Sequence, residues 1–192
     1  MKERKNITVY CASSATISQD FFDATKELAL LMAANGMNCI YGAGAQGLMG
    51  CLADTMLHNN GKVIGVIPRF MVERGWCHPT LTEVIVTDTM HQRKTTMAQK
   101  GNATIALPGG CGTIEELMEI ITWKQLGLYT HPIVLLNTNG YYNPLIEMLQ
   151  NAIDNHFMRN IHSNLWHVAS TPQEAIDAVQ SLPEWDNKLT KF

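Results

Sequence analysis

A chain of 192 residues is long enough for one sizeable α/β domain and too short for two comfortable ones. The formal net charge of −3 leaves no polycationic footprint, which excludes nucleic acid as the expected partner, and no run approaches the roughly eighteen apolar residues of a membrane span. The five cysteines (Cys11, Cys39, Cys51, Cys77 and Cys111) are scattered and never spaced Cys-x-x-Cys, as expected of reduced thiols in a soluble cytoplasmic protein rather than a disulfide framework or zinc site.

In chain order, Ile7 to Ala12 reads as a first strand closed by Ser13-Ser14. Phe21 to Asn35 carries Phe21, Leu28, Leu31 and Met32 at helical spacing, and Gly36 is a fitting stop. Met37 to Tyr41 is a second strand, which empties into the glycine loop Gly42-Ala43-Gly44-Ala45-Gln46-Gly47-Leu48-Met49-Gly50 and a helix to about Asn60. Lys62 to Pro68 gives a third strand, Arg69 to Thr82 an irregular loop, and Glu83 to Thr87 a fourth strand. A helix is predicted over Met90 to Lys100, a fifth strand over Ala103 to Leu107, and a helix from Thr113 to about Leu126. Pro132 to Leu136, Asn143 to about Asn155 and Trp166 to Ala169 read as strand, helix and strand. Thr171-Pro172 then opens a last helix, with Thr as cap and Pro in the first turn, that ends before Pro183.

Strands and helices alternate throughout, and the strands are apolar almost without interruption. That pattern implies α/β architecture: a doubly wound parallel sheet of about seven strands with helices on both faces. Ligands of such sheets bind outside the carboxyl ends of the strands. Ser13-Ser14, both glycine loops and the start of the Met90 helix all fall at that edge, so motifs far apart in sequence converge on one crevice.

The densest of these motifs is Pro108-Gly109-Gly110-Cys111-Gly112-Thr113-Ile114-Glu115-Glu116, between a buried strand and a helix. Glycines there let a ligand approach the backbone, and the N–H groups at the helix start favour an anion, most often phosphate. Glu115 and Glu116 are expected in the first helical turn beside that anion. The same residues also spell a capping box, Thr113-x-x-Glu116, in which Glu116 only folds back onto the backbone, and the glycines also suit a plain tight turn.

Gly42-x-Gly44-x-x-Gly47 matches the dinucleotide fingerprint formally. It follows the second strand rather than the first, however, and the next strand ends in Pro68-Arg69 with no carboxylate to hold an adenosine ribose. A mononucleotide pocket fits it better than NAD(P). Met90-His91-Gln92-Arg93-Lys94 puts two cations at a helix start, the wrong end for them on dipole grounds, which calls for an anionic partner unless the face is simply solvated. The helix through Ile120 to Leu126 is apolar nearly all round, which suits deep burial or an interface near Trp123 and Leu126.

Taken together these residues resemble a known family. PGGCGTIEE is similar to the PGGxGTxxE signature of the Lonely Guy (LOG) family, whose members often carry the label "lysine decarboxylase-like". MHQRK at 90–94 resembles its second signature, YGAGAQGLMG at 41–50 its glycine loop, and GVIP, TWKQLG and GYYNPL are weaker echoes. The resemblance spans Ile7 to Ser181. It implies a single Rossmann-like nucleotide-binding domain over 1–182 with a tail at 183–192, a homodimer, and no metal or cofactor. The implied activity is phosphoribohydrolysis of nucleoside 5′-monophosphates, either cytokinin riboside monophosphates or AMP. Carried over by motif, Arg93 and Glu116 are the catalytic pair. Substrate contacts are expected from Ser14, Gly42, Gly44, Gly47, Met90, Arg93, Lys94, Gly109, Gly110, Cys111, Gly112, Thr113, Ile114, Glu115 and Thr122. The departures are Ala43 for a common glycine, Cys111 for a frequent aromatic, and Gly75 where many members carry a glutamate near the base. A non-catalytic nucleotide or cofactor carrier on the same fold is the alternative; it would need neither Arg93 nor Glu116.

Overall fold

The computed structural model describes residues 5–186. Seven strands form one sheet: β1 (Asn6–Tyr10), β2 (Asn38–Tyr41), β3 (Lys62–Pro68), β4 (Glu83–Thr87), β5 (Ala103–Ala106), β6 (Ile133–Leu136) and β7 (His167–Ala169). Their spatial order is β4-β3-β2-β1-β5-β6-β7 and every pairing is parallel. The chain winds outward from β1 to β4, crosses back to set β5 against β1, and then winds the other way. The direction therefore reverses between β1 and β5, where a crevice opens at the carboxyl edge.

Two apolar cores hold the helices to the sheet. Alternation along each strand sends Ile7 and Val9 of β1 to one face and Tyr10 to the other. The first face is covered by α1 (Gln19–Ala34), α2 (Gly47–His58) and α7 (Pro172–Ser181), through Leu28, Met32, Leu52, Met56, Ile176 and Val179. The second is covered by α4 (Met90–Lys100) and α5 (Cys111–Gln125), through Met97, Leu117, Ile120 and Ile121, with Leu145 and Ile146 of α6 (Asn143–Asp154) packed alongside. As expected from Thr171-Pro172, the Thr171 hydroxyl accepts the Glu174 N–H at the start of α7.

Two stretches depart from the sequence reading. The span expected to be an irregular loop contains a one-turn helix, α3 (Arg69–Glu73), entered through the extended Pro68. Gly75 then takes a left-handed conformation (φ +73°), its N–H donating to Val72 O, so the chain leaves the helix and doubles back. Cys77 bridges Gly44 and the His78 N–H donates to Ala43 O at 2.8 Å, which ties this return to the Gly42 loop. In addition, α5 begins at Cys111, two residues before the expected Thr113. Of the expected tail 183–192, residues 187–192 lie outside the described residues; Trp185 packs on the second core, its N–H donating to Thr130 O at 2.7 Å. Among the described residues no helix is long and apolar enough to cross a membrane.

Candidate active site

A cavity of about 660 Å³ opens at the topological switch. Its floor is the end of β1, including Tyr10 and the loop through Ser13. Three walls surround it: the start of α5 with Gly110 to Thr113, the Gly42 loop before α2, and the β3–α3 segment with Ile67, Met71, Gly75 and Trp76. Arg93, Met90, Glu115 and Glu116 complete the lining.

The start of α5 has no side-chain cap, and Ile114 is the first residue whose N–H finds a helical carbonyl, Gly110 O at 3.0 Å. The preceding N–H groups stand at the positive end of a fifteen-residue helix, and a Cβ added to Gly110 or Gly112 would meet nothing. This geometry suits a phosphate. The loop is anchored from behind: Tyr142 OH donates to Leu107 O and Tyr141 OH to Gly109 O, each at 2.6 Å, and the Ala12 N–H donates to Pro108 O. The two tyrosines of Gly140-Tyr141-Tyr142 thus hold the cradle in place without lining it.

Starting α5 at Cys111 overturns the capping-box reading. Thr113 is the third helical residue rather than the cap, and both glutamates fall in the second turn rather than the first. Glu116 instead points to α4, its Oε1 2.9 Å from Arg93 Nη1, with side chains 9% and 10% exposed for Arg93 and Glu116. Arg93 Nε donates to Val66 O at 3.2 Å, and its guanidinium occupies the space a Cβ on Gly42 would need. That close approach explains a glycine at position 42. Burial pushes the Glu116 carboxyl above the ordinary glutamate range, and the Arg93 charge opposes this without reversing it.

The remaining expected residues divide. Gly42, Gly44, Met90, Arg93, Gly110, Cys111, Gly112, Thr113, Glu115 and Glu116 line the cavity together. Lys94 does not line it: its ammonium sits 2.6 Å from Glu115 Oε1 and 3.1 Å from Glu119. Burial lowers the Lys94 pKa, but these two carboxylates outweigh it and the net shift is upward. Ser14, Gly47, Gly109, Ile114 and Thr122 also lie off the lining. Ser14 is exposed beside Thr16 and yields its place to Ser13, while the Thr122 hydroxyl donates to Met118 O within α5. Gly47 turns the chain (φ +60°) where a Cβ would strike the Ser13–Ser14 backbone, and Gly109 leaves room for the Thr113 side chain. Tyr10, Gln46, Met49, Met71 and Trp76 line the cavity without having been marked in the sequence. Tyr10 precedes Cys11 at a strand end, which is a recognisable signal, whereas Trp76 was hidden in a stretch with no periodicity. Among the described residues no three His, Cys, Asp or Glu side chains cluster as metal ligands, and no lysine lines the cavity.

Residues 49–179 match the family model described as "Possible lysine decarboxylase". The chain is 40% identical, over 98% of its length and 78% of the relative's, to the probable cytokinin riboside 5′-monophosphate phosphoribohydrolase LOGL2 of Oryza sativa subsp. japonica. It is 39% identical, over 94% of its length and 84% of the relative's, to the cytokinin riboside 5′-monophosphate phosphoribohydrolase LOG1 of Arabidopsis thaliana. Among solved structures it is similar to the Moco carrier protein from Chlamydomonas reinhardtii, with a TM-score of 0.72 at 23% identity over 93% of this chain and 96% of that one. That last likeness speaks for the fold alone.

Proposed function

The chain belongs to the LOG family of cytokinin riboside 5′-monophosphate phosphoribohydrolases, and from that premise we propose that it hydrolyses the N-glycosidic bond of nucleoside 5′-monophosphates to free base and ribose 5-phosphate. The observation that carries this reading is the buried Arg93–Glu116 pair, 2.9 Å apart, on a cavity that also holds the uncapped start of α5. In the reaction the C1′–N bond breaks with its electron pair leaving on the base, and water supplies the hydroxyl at C1′ and, over the whole step, the proton that the free base carries away. Positive charge develops on the ribose, as in O-glycoside hydrolysis, and a carboxylate facing it stabilises that charge or takes the proton of the attacking water. Glu116 is assigned this part and Arg93 orients it. The backbone N–H groups from Gly110 to Thr113 bind the 5′-phosphate, whose binding energy positions the ribose. Ser13, Gly42, Gly44, Met90 and Glu115 are assigned to the remaining contacts, from their place on the lining.

The family label "lysine decarboxylase" would call for a lysine at the reacting centre, and among the described residues the cavity lining supplies none. A pure carrier would have no need for a carboxylate–guanidinium pair buried at the pocket. The relatives are named for cytokinin riboside 5′-monophosphates, and AMP is a simple nucleoside 5′-monophosphate to set beside them. A homodimer is supported by the half-buried Trp123 and Leu126 and the exposed Leu128 at the end of α5. Five free cysteines favour a reducing, cytoplasmic setting.

The test is a panel of cytokinin riboside monophosphates, AMP, other nucleoside mono-, di- and triphosphates and the parent nucleosides, assayed for free base. Release from monophosphates alone is the expected result. Equal turnover of adenosine and AMP would deny the phosphate cradle its part, and no release from any monophosphate would defeat the reading.

A further inference from the structure

The β3–α3 wall of the cavity has no part in the chemistry above, yet it is built with care around one aromatic side chain. Trp76 is 49% exposed and faces the cavity. Its setting is rigid on both sides. Upstream, α3 stops at Arg74, Gly75 turns the chain, and the Trp76 N–H donates to Met71 O at 3.1 Å. Downstream, Cys77 is bridged to Gly44, and His78 Nε2 lies 3.1 Å from Asp54 Oδ1. The Arg74 guanidinium lies 5.2 Å from the Trp76 ring centroid and 5.7 Å from that of Phe70, bracing the indole from one side. Ile67, Met71 and Met90 continue the apolar surface. At Gly75, which also lines the cavity, a Cβ would meet nothing within 4 Å apart from its chain neighbours.

The wall also stands at a useful separation. It rises from the end of β3, whereas the phosphate cradle rises from the end of β5, and β2 and β1 lie between them. Three strand spacings amount to roughly 14 Å. A ligand with its phosphate on α5 and its sugar at Glu116 therefore carries its third part, the base, toward β3.

We propose that Trp76 is a specificity-determining residue: its indole, braced by Arg74, is the platform on which the base of the bound nucleotide stacks, and it selects for the broad π-face of a purine. The inference rests on the phosphoribohydrolase reading. It assigns Trp76 to binding and not to bond cleavage, because a stacked base is held alike before and in the transition state.

The experiment compares the full-length protein with Trp76→Ala and Trp76→Phe. It measures kcat and KM for AMP and CMP, the inhibition constant of ribose 5-phosphate, and tryptophan fluorescence on addition of AMP. Loss of one stacked base typically weakens binding about five- to a hundredfold. Trp76→Ala is therefore expected to raise KM for AMP by that factor with kcat within about threefold, to narrow the preference of AMP over CMP, and to leave ribose 5-phosphate inhibition unchanged, since that ligand has no base. Trp76→Phe should keep most of the affinity while abolishing the fluorescence response. An unchanged KM in Trp76→Ala overturns the proposal. So does an equal loss for AMP and ribose 5-phosphate, which reports a disturbed cavity, or a lower mass in light scattering with base preference intact, which assigns Trp76 to a subunit contact. Should the wild type release no base, calorimetric titration of AMP into the wild type, Trp76→Ala and Trp76→Phe still decides. AMP binding that depends on Trp76 would keep the stacking site and discard the hydrolase, and binding indifferent to Trp76 would discard both.

Discussion

Two neighbouring cations on α4 meet two neighbouring carboxylates on α5, and the two pairs are unlike. Arg93 and Glu116 are about equally buried, 2.9 Å apart, and open onto the cavity. Lys94 is as well covered, but its partners Glu115 and Glu119 are 57% and 28% exposed, and the cluster leans toward solvent. One residue along a helix turns the side chain by about 100°, so a step of one in each helix separates a site from a clasp. Charge type and spacing are nearly the same in both pairs; what differs is that the cavity reaches both members of the first and only Glu115 of the second. The guanidinium can also hold its second contact, Nε to Val66 O, while it orients Glu116, a fork that an ammonium lacks.

The largest effect expected from breaking this contrast is that of Glu116→Gln. Gln keeps an acceptor for Arg93 but loses the charge that faces the developing positive ribose. Turnover should fall about a hundredfold to ten-thousandfold, with AMP binding retained through the cradle. Thermal denaturation at neutral pH should show the variant no less stable than the wild type, because Gln removes a charge that burial disfavours more than Arg93 favours it. Near-normal turnover would leave Glu116 a structural residue and return the carrier alternative.

The pH profile sharpens the same point. The folded-state pKa of Glu116 is raised, chiefly by burial, so the carboxylate needed for turnover is lost at a higher pH than for an ordinary glutamate near 4.3. The acid limb of kcat/KM should therefore lie above the usual carboxylate range. Stability runs the opposite way. The folded state holds the proton more tightly than the unfolded state, so Glu116 stabilises the fold at low pH and that contribution is lost as pH rises from the ordinary value through the raised one. Denaturation curves of wild type and Glu116→Gln should converge on the acid side of that window and separate on the alkaline side. An acid limb at the ordinary value would show that Glu116 is not the titrating group.

A smaller effect is expected on the clasp side. The sequence placed Lys94 among the substrate contacts, whereas the structure engages it with Glu115 and Glu119. Lys94→Met should cost about 1–2 kcal/mol of stability, partly from leaving two carboxylates facing each other one turn apart. Base release should stay within about threefold of wild type at saturating AMP, since a group that does not reach the transition state leaves kcat intact. A collapse of kcat comparable with Glu116→Gln would erase the distinction between the pairs.

Much of this was legible in the sequence, and for identifiable reasons. The apolar runs at Ile7, Cys39, Val63, Ala103 and Ile133, with glycine loops after the second and fourth of them, announce parallel strands and a site at their carboxyl edge. The family signature places Arg93 and Glu116 before any coordinates do. The sequence did not tell that α5 starts at Cys111: a Thr-x-x-Glu string looks the same whether Thr caps the helix or sits inside it, and an uncapped helix start cannot be told from a tight turn. Nor did it show that Lys94 turns off the cavity that Arg93 lines, because motif spacing counts residues and not the angle between them. Trp76 escaped because its position depends on a bridge to Gly44 and a brace by Arg74, contacts with no periodic trace.

A third cation on these two helices completes the contrast with the smallest effect. Lys124, on α5 two turns beyond Glu116, is only 4% exposed and among the described residues has no carboxylate partner; its nearest compensation is the Trp185 ring, 6.0 Å away. Burial alone pulls its pKa down to about 8. Where Lys94 gains affinity for its proton from two glutamates, Lys124 loses it, and below pH 8 the fold carries a charge it poorly accommodates. Lys124→Met keeps the length and the apolar stem while removing that charge, so it should stabilise the protein at pH 7 by about 1–2 kcal/mol, less than the full shift because the Trp185 contact is lost with it. The sign follows from linkage: the unfolded chain holds the Lys124 proton up to its ordinary value and the folded chain releases it earlier, so wild-type stability rises with pH between about 8 and 10.5. The advantage of Lys124→Met should therefore be present at pH 7 and shrink across that interval, with base release unchanged at pH 7. A destabilised variant at neutral pH would mean that the ammonium is paired in the assembled protein, and the face of α5 near Trp123 would then be the place to look for a partner carboxylate.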